Sequence, residues 1–320
     1  MPANKLIVLI PAFNEENTIA SVVKSIPRKI TGIGKVEVLV LDDGSKDRTV
    51  AKAKSAGATK VVSHPKNLGL GIAFQDGVWE ALKMKADIIV NIDADGQFNP
   101  NDIPKLIAPI LNQQVDVTTC TRFKDKALEP KMPWVKKFGN NLFTKLINYL
   151  TKSNFTDTQC GFRAYTKDAA LKMNLFGKFT YTQEALMDLI HKGMTVVEVP
   201  CKVVGERDGK SRVVKHWYSY GIKALIIITR ALRDHKPLKF FGGLGVLFAG
   251  AGIIYGALLW VISLTPGVDI AFWRIILVFL LILLGVLMGG FGLLADMSDR
   301  QKKIQEEILY RMKKGEIEGK

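Results

Sequence analysis

Short continuous apolar runs punctuate the first two-thirds of this chain, and between them apolar residues recur at helical spacing. Leu6–Ile10 (LIVLI), Val36–Leu41 (VEVLVL), Lys60–Ser63, the start of Asp87–Phe98 (DIIVNIDADGQF), Asp116–Thr121 and Thr195–Val203 read as strands. A helix is predicted after Asn14, whose side chain can cap it, with Ile19, Val22, Val23 and Ile26 on its apolar face; Pro27 and Gly32 close that unit. Further helices are expected from about Asp47 to Ser55, from Asn67-Leu68-Gly69-Leu70-Gly71 to about Met84, from near Ile103, and from Thr182 to His191. Phe155–Tyr165, polar and broken by Gly161, reads as a loop and turn at a site. Strands alternating with helices predict an α/β domain on a Rossmann-like, doubly wound and mostly parallel sheet.

Past Lys239 the pattern changes. No charged residue lies between Lys239 and Asp269, or between Arg274 and Asp296. Each gap exceeds the ~20 apolar residues that cross a bilayer. Two transmembrane helices are predicted, at about 240–264 and 275–295, joined by the Thr265–Arg274 loop. Gly252 and Gly256, and Gly285 and Gly289, have the spacing that lets helices approach closely. Ahead of them, Val213–Lys239 interleaves Trp217, Tyr218 and Tyr220 with lysines and arginines, as a juxtamembrane amphipathic helix does. The expected division is 1–212 for the α/β domain, 213–239 for the juxtamembrane helix, 240–295 for the hairpin and 296–320 for a C-terminal helix. Basic residues flank both outer ends of the hairpin while the loop carries only Arg274, which places both termini and the α/β domain in the cytoplasm. Nothing resembling a signal peptide precedes Leu6. Trp134–Leu150 has Val135, Phe138, Leu142, Leu146 and Tyr149 at helical spacing, with lysines on other faces. Packing on the core and lying in the membrane interface both fit that helix.

Charge narrows the partners. A net charge of +15 suits phosphates, anionic lipid or nucleic acid. No nucleic-acid-binding motif is present, and much of the basic excess flanks the apolar spans, which favours membrane surface and phosphorylated substrates. Cys120, Cys160 and Cys201 are widely spaced, have no metal-binding rhythm, and read as small buried hydrophobes in a reducing cytosol.

The sharpest chemical signal lies where the Asp87 strand ends. In extended chain Asp93 and Asp95 point to one side, just past the strand's C-terminal end, where ligands bind in open α/β sheets. Two such carboxylates repel unless a cation sits between them. Hard oxygen ligands suit Mg2+ or Mn2+, and magnesium takes its remaining ligands from water and substrate phosphates. Capping is the plainer use for these acids, but Asn99, Asn101 and Asp102 already supply caps before the helix near Ile103. Gly69-x-Gly71 is only superficially a dinucleotide fingerprint: Phe74 stands at the third glycine position and the motif follows the third strand. It reads as a tight turn into a helix.

Pro11–Glu16 (PAFNEE) after the first strand, Asp42–Ser45 (DDGS) after the second and Asp93–Gln97 (DADGQ) after the fourth are together far more specific than any one of them. On these motifs the chain resembles family-2 glycosyltransferases of the GT-A fold. Within them it resembles the polyprenyl-phosphate glycosyltransferases of the dolichol-phosphate mannose synthase type, over roughly residues 5–215 and the two-span tail. The resemblance implies a membrane-bound hexosyltransferase. Its donor would be a nucleotide-sugar of the GDP-mannose or UDP-glucose type, its acceptor a polyprenyl or dolichyl phosphate, its stereochemistry inverting and its cofactor Mg2+ or Mn2+. It implies nucleotide-sugar contacts at Pro11, Phe13 (often tyrosine in the family), Glu15, Asp43, Asp93, Ala94, Asp95 and Gln97. Asp43 would read base or ribose, and Asp93, Asp95 and Gln97 would hold the metal. Catalytic roles fall to Asp93, Asp95, Arg122, Arg207 and Arg212. Arg207-x-Gly209-x-Ser211-Arg212 resembles the family's mobile Arg…Gly-x-Ser-Lys loop, with Arg212 at the lysine position. Asp157–Phe162 resembles its Asp-x-x-Ser-Gly-Phe segment, with Cys160 at the serine position. Arg122, Lys136 and Lys137 are candidates to hold the acceptor phosphate, which is ionised at neutral pH and needs positioning more than a strong general base. Asp157 and Glu184 are therefore assigned no base role. The implied partners are donor, lipid phosphate and bilayer, with no nucleic acid and a homo-oligomer left open. A processive polysaccharide synthase would need more spans and a Gln-x-x-Arg-Trp motif, neither of which is found. A non-catalytic GT-A membrane scaffold is disfavoured by the two intact aspartates.

Overall fold

The computed structural model describes residues 4–125, 134–175, 181–203, 237–266 and 269–319, together with Thr229 and Arg233. It divides into two compact units: Met1–Lys210 with Leu309–Lys320, and Ser211–Ile308.

The first unit is built on seven strands, β1 (Asn4–Ala12), β2 (Ile33–Asp42), β3 (Lys60–Ser63), β4 (Ile88–Asn91), β5 (Val117–Thr121), β6 (Arg163–Thr166) and β7 (Val196–Pro200). They form one sheet in the order β3-β2-β1-β4-β6-β5-β7. β6 runs antiparallel to both its neighbours, β4 and β5, and the remaining pairings are parallel. The helices are α1 (Ile19–Ser25), α2 (Thr49–Ser55), α3 (Leu70–Lys83), α4 (Ile103–Leu111), α5 (Trp134–Thr151), α6 (Lys167–Lys172) and α7 (Tyr181–His191). One face of the sheet packs against α1, α2 and α4 through Ile19, Val23, Ala53, Ile103 and Ile107. The other packs against α3, α6 and α7 through Phe74, Val78, Ala169, Leu171, Ala185 and Leu189. Sandwiching the sheet in this way explains why β1 and β4 read as unbroken apolar runs. At Gly77 a Cβ would collide with the Leu9 side chain, so α3 lies close on β1.

Two local expectations change. Strand β6 lies in the stretch read as loop, because its first residue, Arg163, is a wholly buried cation. Its guanidinium donates to Thr119 Oγ1 at 3.1 Å and to the Thr158 carbonyl at 2.9 Å. A charged residue satisfied by backbone inside a sheet defeats a reading based on polarity. Asn14 does not cap α1, which begins at Ile19 after Thr18. It adopts φ 54°, and its side chain accepts from the Lys46 amide at 2.9 Å.

Leu309–Lys320 folds with the first unit. Tyr310 and Ile317 pack on the α3/α6/α7 face. Tyr310 Oη donates to Asp168 at 2.7 Å, and Lys313 Nζ donates to the Met173 carbonyl at 3.0 Å and to Asn174 Oδ1 at 2.8 Å. Burial by itself would raise the Asp168 carboxyl, but hydrogen bonds from Tyr310 and Lys172 hold it below its usual value.

Pro237–Ser263 forms one helix of the second unit, and the helix Phe272–Glu318 belongs to that unit as far as Ile308. Both are long and apolar enough to cross a bilayer. Their contact is made at small residues: a Cβ on Gly245 would lie 2.8 Å from the Gly285 carbonyl, and one on Gly285 would lie 2.6 Å from the Ala249 amide. Val246, Trp260 and Phe279 point away from that contact and are 76%, 72% and 66% exposed. Apolar surface of that extent suits lipid better than water.

Candidate active site

Neighbouring parallel strands end on the same edge of a sheet, so the order β2-β1-β4 gathers three loops there. Pro11 is buried at the end of β1, with Phe13 and Glu15 half-buried just beyond it. The Glu15 amide donates to Thr49 Oγ1 at 2.8 Å, and the Asn14 amide to Ser45 Oγ at 2.8 Å. The loop after β1 is thereby laced to the loop after β2. Asp42 closes its own turn by accepting from the Ser45 amide at 3.2 Å, and Gly44 takes φ 74°. Asp43 is buried next to it. It accepts from the Leu68 and Gly69 amides, each at 2.9 Å, and lies 2.8 Å from His64 Nδ1. Gly69, at φ 102°, precedes α3, so the glycine turn serves to bring backbone amides to Asp43.

β4 ends at Asn91; Asp93 follows it closely, and Asp95 lies in the turn that begins at Ala94. The two aspartates and Gln97 are half-buried, while Ala94 is buried. Asp95 Oδ1 accepts from the Gln97 amide at 3.1 Å. The space beside Asp93 depends on Gly161. A Cβ there would sit 3.0 and 3.1 Å from the two Asp93 oxygens and 2.9 Å from Tyr181 Oη. Burial, and then the Asp93 charge, push the Tyr181 phenol well up, so it stays neutral. Asn91 Nδ2 donates to the Gly161 carbonyl at 2.8 Å, holding this cradle shut from behind. Two carboxylates that follow a strand at the carboxyl edge of the sheet form a donor set that fits Mg2+ or Mn2+.

Because β6 runs against the other strands, the segment leading into it, Asp157–Gly161, reaches the same edge. Asp157 is fully buried and pairs with Arg122 at the end of β5: Nε donates to Oδ2 at 2.6 Å and Nη2 to Oδ1 at 3.0 Å. Burial opposes the Arg122 charge, but the hydrogen bond and charge of Asp157 outweigh it and hold the guanidinium protonated. Glu198 on β7 fixes the loop, accepting from the Thr156 and Asp157 amides at 2.7 and 2.8 Å.

Lys137 is exposed on α5. Arg207 and Arg212, the Lys136 side chain, and nearly all of residues 213–236 lie outside the described residues. Glu184 is half-buried on α7. Cys120, Cys160 and Cys201 are all free and buried. The Cys160 and Cys201 thiols and burial push the Cys120 thiol well up, so it behaves as the small hydrophobe expected. His64, Tyr181 and Glu198 carry no signal in the sequence, whereas Gly161 carries one as the residue that breaks a family-like segment.

The profile described as glycosyl transferase family 2 matches residues 7–173. The UDP-N-acetylglucosamine–dolichyl-phosphate N-acetylglucosaminyltransferase of Methanococcus voltae is 34% identical over 223 residues, which are 63% of this chain and 87% of that one. Glycosyltransferase AglJ of Haloferax volcanii is 28% identical over 309 residues, 93% of this chain and 97% of that one. Among solved structures, glucosyl-3-phosphoglycerate synthase of Mycobacterium tuberculosis, in complex with Mn2+ and UDP-glucose, superposes with a TM-score of 0.54 at 25% identity. That match covers 72% of this chain and 78% of the synthase.

Proposed function

This chain belongs to glycosyl transferase family 2, and on that premise we propose that it transfers a hexose from a nucleotide-sugar to a polyprenyl or dolichyl phosphate, with inversion, at the cytoplasmic face of a membrane. The observation that carries the reading is the Asp93/Asp95 pair at the carboxyl edge of the sheet, with Gly161 packed closely against Asp93. Lipid-phosphate acceptors in the names of relatives, and two helices of bilayer length, support the acceptor class. The catalytic domain is assigned to 1–212, the hairpin to 240–295, and the flanking segments 213–239 and 296–320 to the cytoplasmic side.

Asp93 and Asp95, with Gln97 beside them, would hold a divalent cation, Mg2+ or Mn2+, which supplies positive charge to the departing diphosphate. Pro11, Phe13 and Glu15 contact the nucleotide, Asp43 binds base or ribose, and Arg207 and Arg212 supply positive charge to the diphosphate. An oxygen of the acceptor phosphate forms a bond to the anomeric carbon as the bond from that carbon to the diphosphate oxygen breaks. The acceptor oxygen is already an anion, so no side chain need remove a proton. Arg122, with Nε and Nη2 spent on Asp157, presents its remaining nitrogen from a fixed orientation. Lys136 and Lys137 supply further positive charge to the acceptor.

The test is transfer of label from radiolabelled UDP- and GDP-sugars to a polyprenyl phosphate by the full chain in detergent. Asp95→Asn should keep the fold and lose at least ~10²-fold in turnover. Lys136→Ala/Lys137→Ala should raise the KM for lipid phosphate and leave donor affinity, read by calorimetry, intact. Full activity in excess chelator, or lost donor affinity in the lysine pair, overturns the corresponding assignment.

A further inference from the structure

An ionised carboxylate has about four lone-pair positions to offer. Asp43 fills three of them inside the protein. Oδ1 takes the Leu68 amide at 2.9 Å and His64 Nδ1 at 2.8 Å, while Oδ2 takes the Gly69 amide at 2.9 Å. A carboxylate only accepts, so the His64 nitrogen is the donor. Oδ1 is therefore saturated and Oδ2 keeps one position. Only 4% of the Asp43 side chain is exposed, so its opening to a ligand is narrow.

His64 stands between two carboxylates, with Nε2 3.1 Å from Asp76 Oδ2 on the far side of the ring. Behind it the His64 amide donates to the Asp42 carbonyl at 2.9 Å. Gly44, at φ 74°, has the Lys66–Asn67 backbone 2.5–2.8 Å from where a Cβ would stand, so the two loops are pressed together.

We propose that His64 is a positioning residue that leaves Asp43 a single acceptor position, and so selects a uridine nucleotide over a guanosine nucleotide. The proposal rests on the reading of Asp43 as a nucleotide-binding acid. Uracil presents one N–H between two carbonyls, which one lone pair on Oδ2 satisfies. Guanine presents two adjacent N–H groups that pair side by side with both oxygens of a carboxylate. Here the second would meet an oxygen with no room left, and would be desolvated without a partner. A missing hydrogen bond to a charged group amounts to a factor of roughly ten or more in affinity.

Calorimetric titration of the full chain in detergent with Mn2+ and either UDP or GDP tests this. The wild type should bind UDP at least about tenfold more tightly than GDP. His64→Asn places an amide nitrogen where Nδ1 stands and should keep that preference to within about twofold. His64→Gln places its nitrogen toward Asp76 instead. It should weaken UDP and bring the two nucleotides within about threefold of each other, with the melting temperature of the Asn variant. Comparing two amides of similar size separates positioning from folding. Equal affinities in the wild type, a preference for GDP, or an unchanged UDP/GDP ratio in His64→Gln overturns the proposal. Asp43→Asn serves as the control for the underlying reading. If it loses affinity for both nucleotides while the His64 variants match the wild type, only the inference fails. If it binds both as the wild type does, the assignment of Asp43 itself fails.

Discussion

Replacing Asp157 with alanine removes the partner of a largely buried cation, and its cost can be worked from the site. Asp157 is fully buried, and the Arg122 side chain is 18% exposed. Two hydrogen bonds join them, at 2.6 and 3.0 Å, both charge-assisted. Breaking a buried pair by removing one member costs about 3–5 kcal/mol, because the other charge stays behind without compensation. For a unit of this size, 1 kcal/mol moves the melting temperature by about 2–4 °C, so Asp157→Ala should melt about 6–20 °C lower. The double variant Arg122→Leu/Asp157→Ala, set beside the single variant Arg122→Leu, removes both charges and should recover most of that loss. Thermal melting of the full chain in detergent, followed by near-ultraviolet circular dichroism, reads all four corners of the cycle. If the double variant loses as much as the two single variants added together, the pair is uncoupled and the reasoning is wrong.

Gly161→Ala should fold but lose up to about tenfold in turnover, since its Cβ would stand 3.0 Å from the Asp93 carboxylate and push it aside by a fraction of an ångström; steady-state kinetics at saturating donor check it, and wild-type turnover would refute the cradle. Asp168 titrates below its usual value in the folded protein, so its contribution is present above the unfolded pKa of about 3.9 and lost as pH falls through the folded one. The stability gap between wild type and Asp168→Asn, measured by melting, should accordingly be full at pH 6 and close toward pH 3. Gly285→Leu drives a side chain into the Ala249 backbone, a clash of the kind that costs about 1–3 kcal/mol, and should lower the melting temperature of the full chain in detergent; an unchanged value would mean the helices do not meet there.

The alternation of apolar runs and helical spacing was enough to read the α/β architecture, because strands buried on both faces and helices buried on one leave unmistakable periods. The two bilayer-length helices were equally plain, since a span of that length tolerates few charges. Asp93 and Asp95 stand out in the sequence because they directly follow a strong strand signal, and Asp43 stands out through the family resemblance. What escaped was long-range. β6 was hidden because its fully buried Arg163 looks like loop until Thr119 and the Thr158 carbonyl are brought to it. Its antiparallel direction in turn decides that Asp157 and Gly161 reach the carboxyl edge, a consequence of strand order that no local pattern contains. His64 meets Asp43 across 21 positions, and Glu198 meets Asp157 across 41. A polar side chain in isolation shows what it can donate or accept. Only the tertiary fold decides which of those positions the protein fills and which remain for a ligand.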